Sequence, residues 1–140
     1  MNGIRLTLRV DFGSDRALGP GKIKLLETIG KTGSITQAGR TLGMSYRRAW
    51  LLVDDLNHSF REAVVIKKPG GVQGGGATLT KFGRELIAKY RAIETKATAI
   101  ATRQLRELEI SLRKPAPRGQ KPLKTSIRLA SDPQRSGRTD

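Results

Sequence analysis

The chain has 140 residues, with 27 Lys and Arg against 12 Asp and Glu and a formal net charge of +15. Such an excess predicts a polyanionic partner. With no cysteine and one histidine, disulfides, thiolate metal sites and a His-based metal cluster within one chain are excluded; no apolar run is long enough for a bilayer, and no signal-peptide pattern opens the chain.

Residues 4–12 alternate: Ile4, Leu6, Leu8, Val10 and Phe12 on one side, Arg5, Thr7, Arg9 and Asp11 on the other. A period of two predicts a strand with one buried face. Gly13-Ser14-Asp15 breaks it. Pro20 suits the first turn of a helix, where a missing N–H leaves nothing unpaired. That helix is expected to run to about Lys31, with Ile23, Leu26 and Ile29 on one face and Gly33 at its end.

Residues 33–50 read as a helix-turn-helix. Ser34 is placed to cap a short helix, and Ile35, Ala38 and Leu42 recur at helical spacing. Gly43 follows the last apolar residue and suits the left-handed residue that ends a helix. Ser45 caps a second helix, expected from Tyr46 to about Phe60, with Ala49, Val53, Leu56 and Phe60 buried and Trp50 flanking them. Tyr46, Arg47 and Arg48 then lie exposed at its start. A recognition helix meets base edges with its N-terminal residues, and an arginine donates two bonds to guanine. The alternative is an ordinary helical hairpin with a solvated basic face.

Val64-Val65-Ile66-Lys67 is a short β-branched strand, and Ala77-Thr78-Leu79-Thr80 a returning one. Between them lies the loop from Lys68 to Gly76, five of whose residues are glycine. A hairpin directly after a recognition helix is a wing, whose glycines let the backbone lie close to a sugar–phosphate strand; a plain surface loop is the alternative. The expected DNA-binding set is Ser34, Gln37, Ser45, Tyr46, Arg47, Arg48, Lys67, Lys68 and Gln73.

Thr80 caps the last helix, expected over about residues 81–110. Phe82, Leu86, Tyr90, Ile93, Ala97, Ile100, Leu105 and Leu108 recur mostly at three- and four-residue steps, over roughly 40 Å at ~1.5 Å per residue. One small domain cannot cover so long a stripe, so a second copy of the helix is the simplest partner. Leu86, Tyr90, Ile93, Ala97, Ile100 and Leu105 are the expected dimerisation residues; a helix folded wholly onto its own domain is the alternative. The domain is set at residues 1–110 and a basic, Pro- and Arg-containing tail at 111–140. The tail reads as disordered from its prolines and lack of aromatics. Residues 113–140 hold eight Lys and Arg against two Asp, and residues 1–112 nineteen against ten acidic residues. The folded part is therefore basic by itself.

Catalytic patterns fail. Gly30-Lys31-Thr32 lacks the preceding glycine of a phosphate-binding loop, because that position is Leu25. Asp54 and Asp55 are adjacent and diverge on a helix. His58 stands alone. An enzyme is not expected, and no cofactor is.

Gly33-Ser34-Ile35, Gly43, Ser45-Tyr46, Ala49-Trp50, Asn57, Gly70-Gly71, Gly74-Gly75-Gly76-Ala77, Leu79-Thr80, Gly83, Leu86-Ile87 and Tyr90 together resemble the N-terminal domain of molybdate-responsive (ModE-type) transcriptional regulators. The resemblance extends from residue 4 to about 94, and the helix-turn-helix alone is also similar to that of LysR-type regulators. It implies a mostly α fold with a small β wing, in the order β-α-α-α-β-β-α with a long C-terminal dimerisation helix. It further implies a homodimer joined through N-terminal strand and long helix, a palindromic operator in double-stranded DNA, and a bacterial cytoplasm with the nucleoid as its place. It carries Ser45, Tyr46 and Arg47 over as recognition positions, and Lys67, Lys68 and the glycine loop as the wing. The family's molybdate-binding domains have no counterpart here, since the tail shows no strand pattern, so no molybdate site is expected in this chain. The expected function is a sequence-specific transcriptional regulator; the alternative is a nonspecific architectural DNA-binding protein driven by charge.

Overall fold

The structure, a computed structural model, describes residues 3–68 and 76–114. Its elements are β1 (Val10–Asp11), β2 (Ala17–Leu18), α1 (Pro20–Thr32), α2 (Ile35–Thr41), α3 (Tyr46–Ser59), β3 (Val65–Lys68), β4 (Gly76–Leu79) and α4 (Lys81–Ser111). This is a winged helix with a long last helix, as expected, plus one strand pair that sequence reading did not anticipate. β2 has two residues and pairs Val10 with Leu18 and Asp11 with Ala17. Two residues are too short to show a period.

Local chemistry explains the helix ends. Pro20 occupies the first turn of α1. Gly33 closes that helix at φ 73°, its N–H donating to the Ile29 carbonyl at 2.8 Å. Ser34 Oγ accepts the Gln37 N–H at 3.0 Å, Ser45 Oγ accepts the Arg48 N–H at 3.1 Å, and Thr80 Oγ1 accepts the Gly83 N–H at 2.8 Å. Each side chain thereby satisfies an amide that the helix leaves without a partner. Gly43, at φ 73°, makes the turn between α2 and α3.

The core gathers where α1, α2, α3 and the wing root meet. Ile23, Leu25, Leu26 and Ile29 of α1 are fully buried against Ala38, Ala49, Val53, Leu56 and Val64. α2 and α3 cross closely because Gly39 has no side chain; a Cβ there would come within 2.9 Å of the Ala49 Cβ. Asn57 ties the end of α3 to β3: its Oδ1 accepts the Val64 N–H at 2.7 Å and its Nδ2 donates to the Val65 carbonyl at 3.1 Å. β3 and β4 pair antiparallel from Val65–Leu79 to Lys68–Gly76. The Ala77 N–H donates to the Gly33 carbonyl at 2.9 Å, which seats the hairpin on the end of α1.

Two expectations change. Residues 4–9 are extended and alternate in burial, but only Val10 and Asp11 enter a ladder among the described residues. Residues 4–9 form an arm beside α4 instead, held where the Tyr90 hydroxyl donates to the Leu8 carbonyl at 2.6 Å. An alternating pattern marks two faces of an extended chain; it does not supply the neighbouring strand. Leu86 and Tyr90, expected at a dimer contact, are 7% and 1% exposed inside the chain's own core. Both precede the point where α4 leaves the domain. No helix among the described residues is long and apolar enough to cross a membrane.

Candidate nucleic-acid interface

α3 presents three faces. Ala49, Val53 and Leu56 are buried against the core, with Phe60 half-buried beyond them. Trp50 turns toward the wing: the Lys67 ammonium lies 4.3 Å from the centre of the indole ring, and the centre of the Tyr46 ring is 6.0 Å from it, with the two rings tilted. A cation over an indole face is held by the ring's quadrupole. The Trp50 Nε1–H is buried, with no hydrogen-bond partner among the described residues. Arg48 and Leu52 turn the opposite way and line a cleft with Arg9, Met44 and the start of α1 at Gly19–Lys22. Lys22 closes that side by pairing with Asp55 and donating to the Ala17 carbonyl.

What remains faces outward. Arg47 is exposed, and Tyr46 is 62% exposed at the first turn. Leu51, one turn beyond Arg47, is 54% exposed and absent from the expected set. Its missing signal is its type, since a leucine in a helix is first counted as core. Arg47 and Leu51 lie on the face opposite Ala49, Val53 and Leu56 at about 100° per residue.

The remaining expected residues divide in the same way. Ser34 and Ser45 are engaged as caps, each with its Oγ accepting a backbone N–H. Gln37 lies exposed in the first turn of α2. Lys68 is exposed at the end of β3, next to the wing loop. Lys67, also exposed, is drawn back over Trp50 at the wing root, so the wing and α3 share one basic contact. Gln73, the glycine run 70–75 and the tail from residue 115 lie outside the described residues.

Exposed side chains at the start of α3 are therefore flanked by a basic wing root on one side and Arg48 on the other. The first turns of α2 and α3 carry no acidic residue. Bare amides and positive side chains at a helix start suit phosphate and electronegative base edges. Asp54 and Asp55 lie two turns further along, and Asp55 is neutralised by Lys22.

Known proteins align with the N-terminal part of this chain. It is 42% identical over 90 residues to the molybdenum transport protein ModE of Azotobacter vinelandii, covering 64% of this chain and 33% of that protein. It is 48% identical over 77 residues to the molybdenum-pterin-binding protein MopB of Rhodobacter capsulatus, covering 55% of this chain and 28% of that one. With the DNA-binding transcriptional dual regulator ModE of Escherichia coli K12 it shares 39% identity over 71 residues, 51% of this chain and 27% of the regulator. The chain thus spans about a third or less of the curated relatives it matches. No family model matches it.

Proposed function

Homology to ModE-type regulators across the winged helix-turn-helix is the premise from which we propose that this chain is a sequence-specific, double-stranded DNA-binding transcriptional regulator. The observation that carries the reading is the outward start of α3, where Tyr46 and Arg47 stand free of the core between two basic flanks. Arg47 reads a base edge from the major groove. Arg48, beside the start of α1, and Lys68, at the wing, hold phosphates on either side. Ser45 and Ser34 fix the two helix starts, and Gln37 meets the backbone. Lys67 acts at the wing root through Trp50.

The working unit is a homodimer on a palindromic operator. The outer half of α4 supports this: Ile93 is 48% exposed and Ile100 82%. Ala97 and Leu105 are half-buried on the same stretch. The arm 4–9 lies beside that helix with backbone groups that no strand pairs among the described residues, and an extended edge of this kind favours a second strand.

Selection of bound duplexes from a random library, at near-physiological salt, tests the proposal. An enriched palindrome with half-sites about one helical turn apart, or a multiple, is the expected result. On that site Arg47→Ala is expected to cost about 1–3 kcal/mol and relax preference at one position. Salt-sensitive retention of bulk DNA without enrichment would favour the architectural reading, in which charge alone binds.

A further inference from the structure

We infer that Leu51 is a specificity-determining residue that packs against the 5-methyl group of a thymine in the major groove, one or two base pairs from the base that Arg47 reads. The inference rests on the reading of α3 as the recognition helix. Within α3, Leu51 is the large aliphatic side chain that no element covers among the described residues: it is 54% exposed, whereas Leu52, next to it, is half-buried toward α1 and Leu56 is fully buried. Trp50 is held by Lys67 on the wing side, and Arg48 lies on the α1 side. Leu51 therefore occupies the middle of the outward face, in line with Arg47.

Spacing supports the pairing. Four residues of helix rise about 6 Å, and two base-pair steps rise about 7 Å. A helix that puts Arg47 on a guanine thus brings Leu51 to a base pair one or two steps away. The groups that a major-groove base pair offers are hydrogen-bonding, apart from the thymine methyl. An isobutyl group offers no hydrogen bond, so the methyl is the feature of the groove that suits it. Packing it against a donor or acceptor would strip water from that group without replacing the bond.

The experiment uses the full chain and the duplex obtained by selection. Each thymine is replaced in turn by deoxyuridine, which deletes the methyl and keeps every hydrogen-bonding group. Wild-type protein is expected to lose about fourfold in affinity at one thymine of a half-site, the effect of one buried methyl, and to be indifferent elsewhere in it. Leu51→Ala is expected to bind the thymine duplex more weakly and to treat thymine and deoxyuridine alike at that position. It should keep its discrimination at the position relaxed by Arg47→Ala. Because Leu51 is outside the core, an unchanged melting temperature will separate this from misfolding. If no deoxyuridine substitution matters to the wild type, or if Leu51→Ala keeps the same discrimination or full affinity, the inference is overturned while the regulator reading stands. If selection enriches no site, both fall together.

Discussion

The two halves of α4 carry the same kind of apolar repeat and meet opposite fates. Phe82, Leu86, Ile87 and Tyr90 pack into or against the core. Ile93, Ile100, Leu108 and Ile110 are 48%, 82%, 59% and 82% exposed. The difference arises from the neighbours. The first half lies over the wing root, where Gly83 lets the helix approach so closely that a Cβ there would stand 2.3 Å from the Val64 carbonyl oxygen. Among the described residues the second half has the arm and the near side of α1 beside its start, where Arg5, Thr7, Pro20 and Lys24 line a cleft with Glu94, Thr95, Thr98 and Ala99, and its outer side is left uncovered. Helical periodicity identifies a face; it does not identify what covers that face.

The strongest test of this contrast compares Leu86→Ala with Ile100→Ala. Leu86→Ala removes a core side chain and is expected to cost about 2–5 kcal/mol in urea unfolding. Ile100→Ala in dilute protein is expected to stay within about 0.5 kcal/mol, yet to raise the concentration at which dimers form in sedimentation. Equal losses from both would mean that the outer half is core as well, and would end the contrast.

A middle effect probes the boundary between the halves. Tyr90→Phe keeps the buried ring and deletes the hydroxyl that donates to the Leu8 carbonyl. A loss of about 0.5–1.5 kcal/mol is expected, with faster amide exchange in residues 4–9 than in α1. Unchanged exchange would show that the arm is held by its side chains alone.

The smallest effect concerns the ion-paired joint between α1 and α4. Arg91 bridges Glu27, at 2.8 and 2.9 Å, and Glu94, at 2.7 Å. The hydrogen bond from Arg91, opposed by partial burial, holds the Glu27 carboxyl below its ordinary value of 4.5. Glu27 binds a proton less readily in the folded chain, so its stabilisation is complete above pH 4.5 and is lost as the pH falls below that value, through the lowered one. The pair is partly exposed, so Glu27→Gln is expected to cost less than about 1 kcal/mol at neutral pH. It should also flatten the decline of stability with acid below 4.5. An unaltered acid profile would remove Glu27 from the account.

Much of the geometry of the candidate interface was legible because caps and turns are local. Ser34, Ser45 and Thr80 each announce a helix start, and Gly33 and Gly43 each a helix stop, by chemistry confined to a few residues. Tyr46, Arg47 and Arg48 follow from the second cap as the first residues of α3. Their division was not legible. Arg48 faces the start of α1 and Lys67 is turned over Trp50, because long side chains settle according to elements distant in sequence. Leu51 was missed for the same reason: its apolar character predicts burial, and only the packing of α3 shows that none of the described residues covers it.

By itself, the sequence determined the order of the helices and, to within a residue or two, their bounds, together with the basic wing hairpin and the residues at the start of α3. Capping, glycine turns and hydrophobic period act over fewer than about five residues, so they survive reading without a structure. Tertiary structure decided which apolar residues of α4 are core, where the arm 4–9 lies, and which side of α3 faces outward. Those outcomes depend on contacts such as Tyr90 with Leu8, 82 residues apart, and on close approaches such as Gly83 to Val64. A periodic pattern presents a surface, and only the packed chain determines what comes to lie against it.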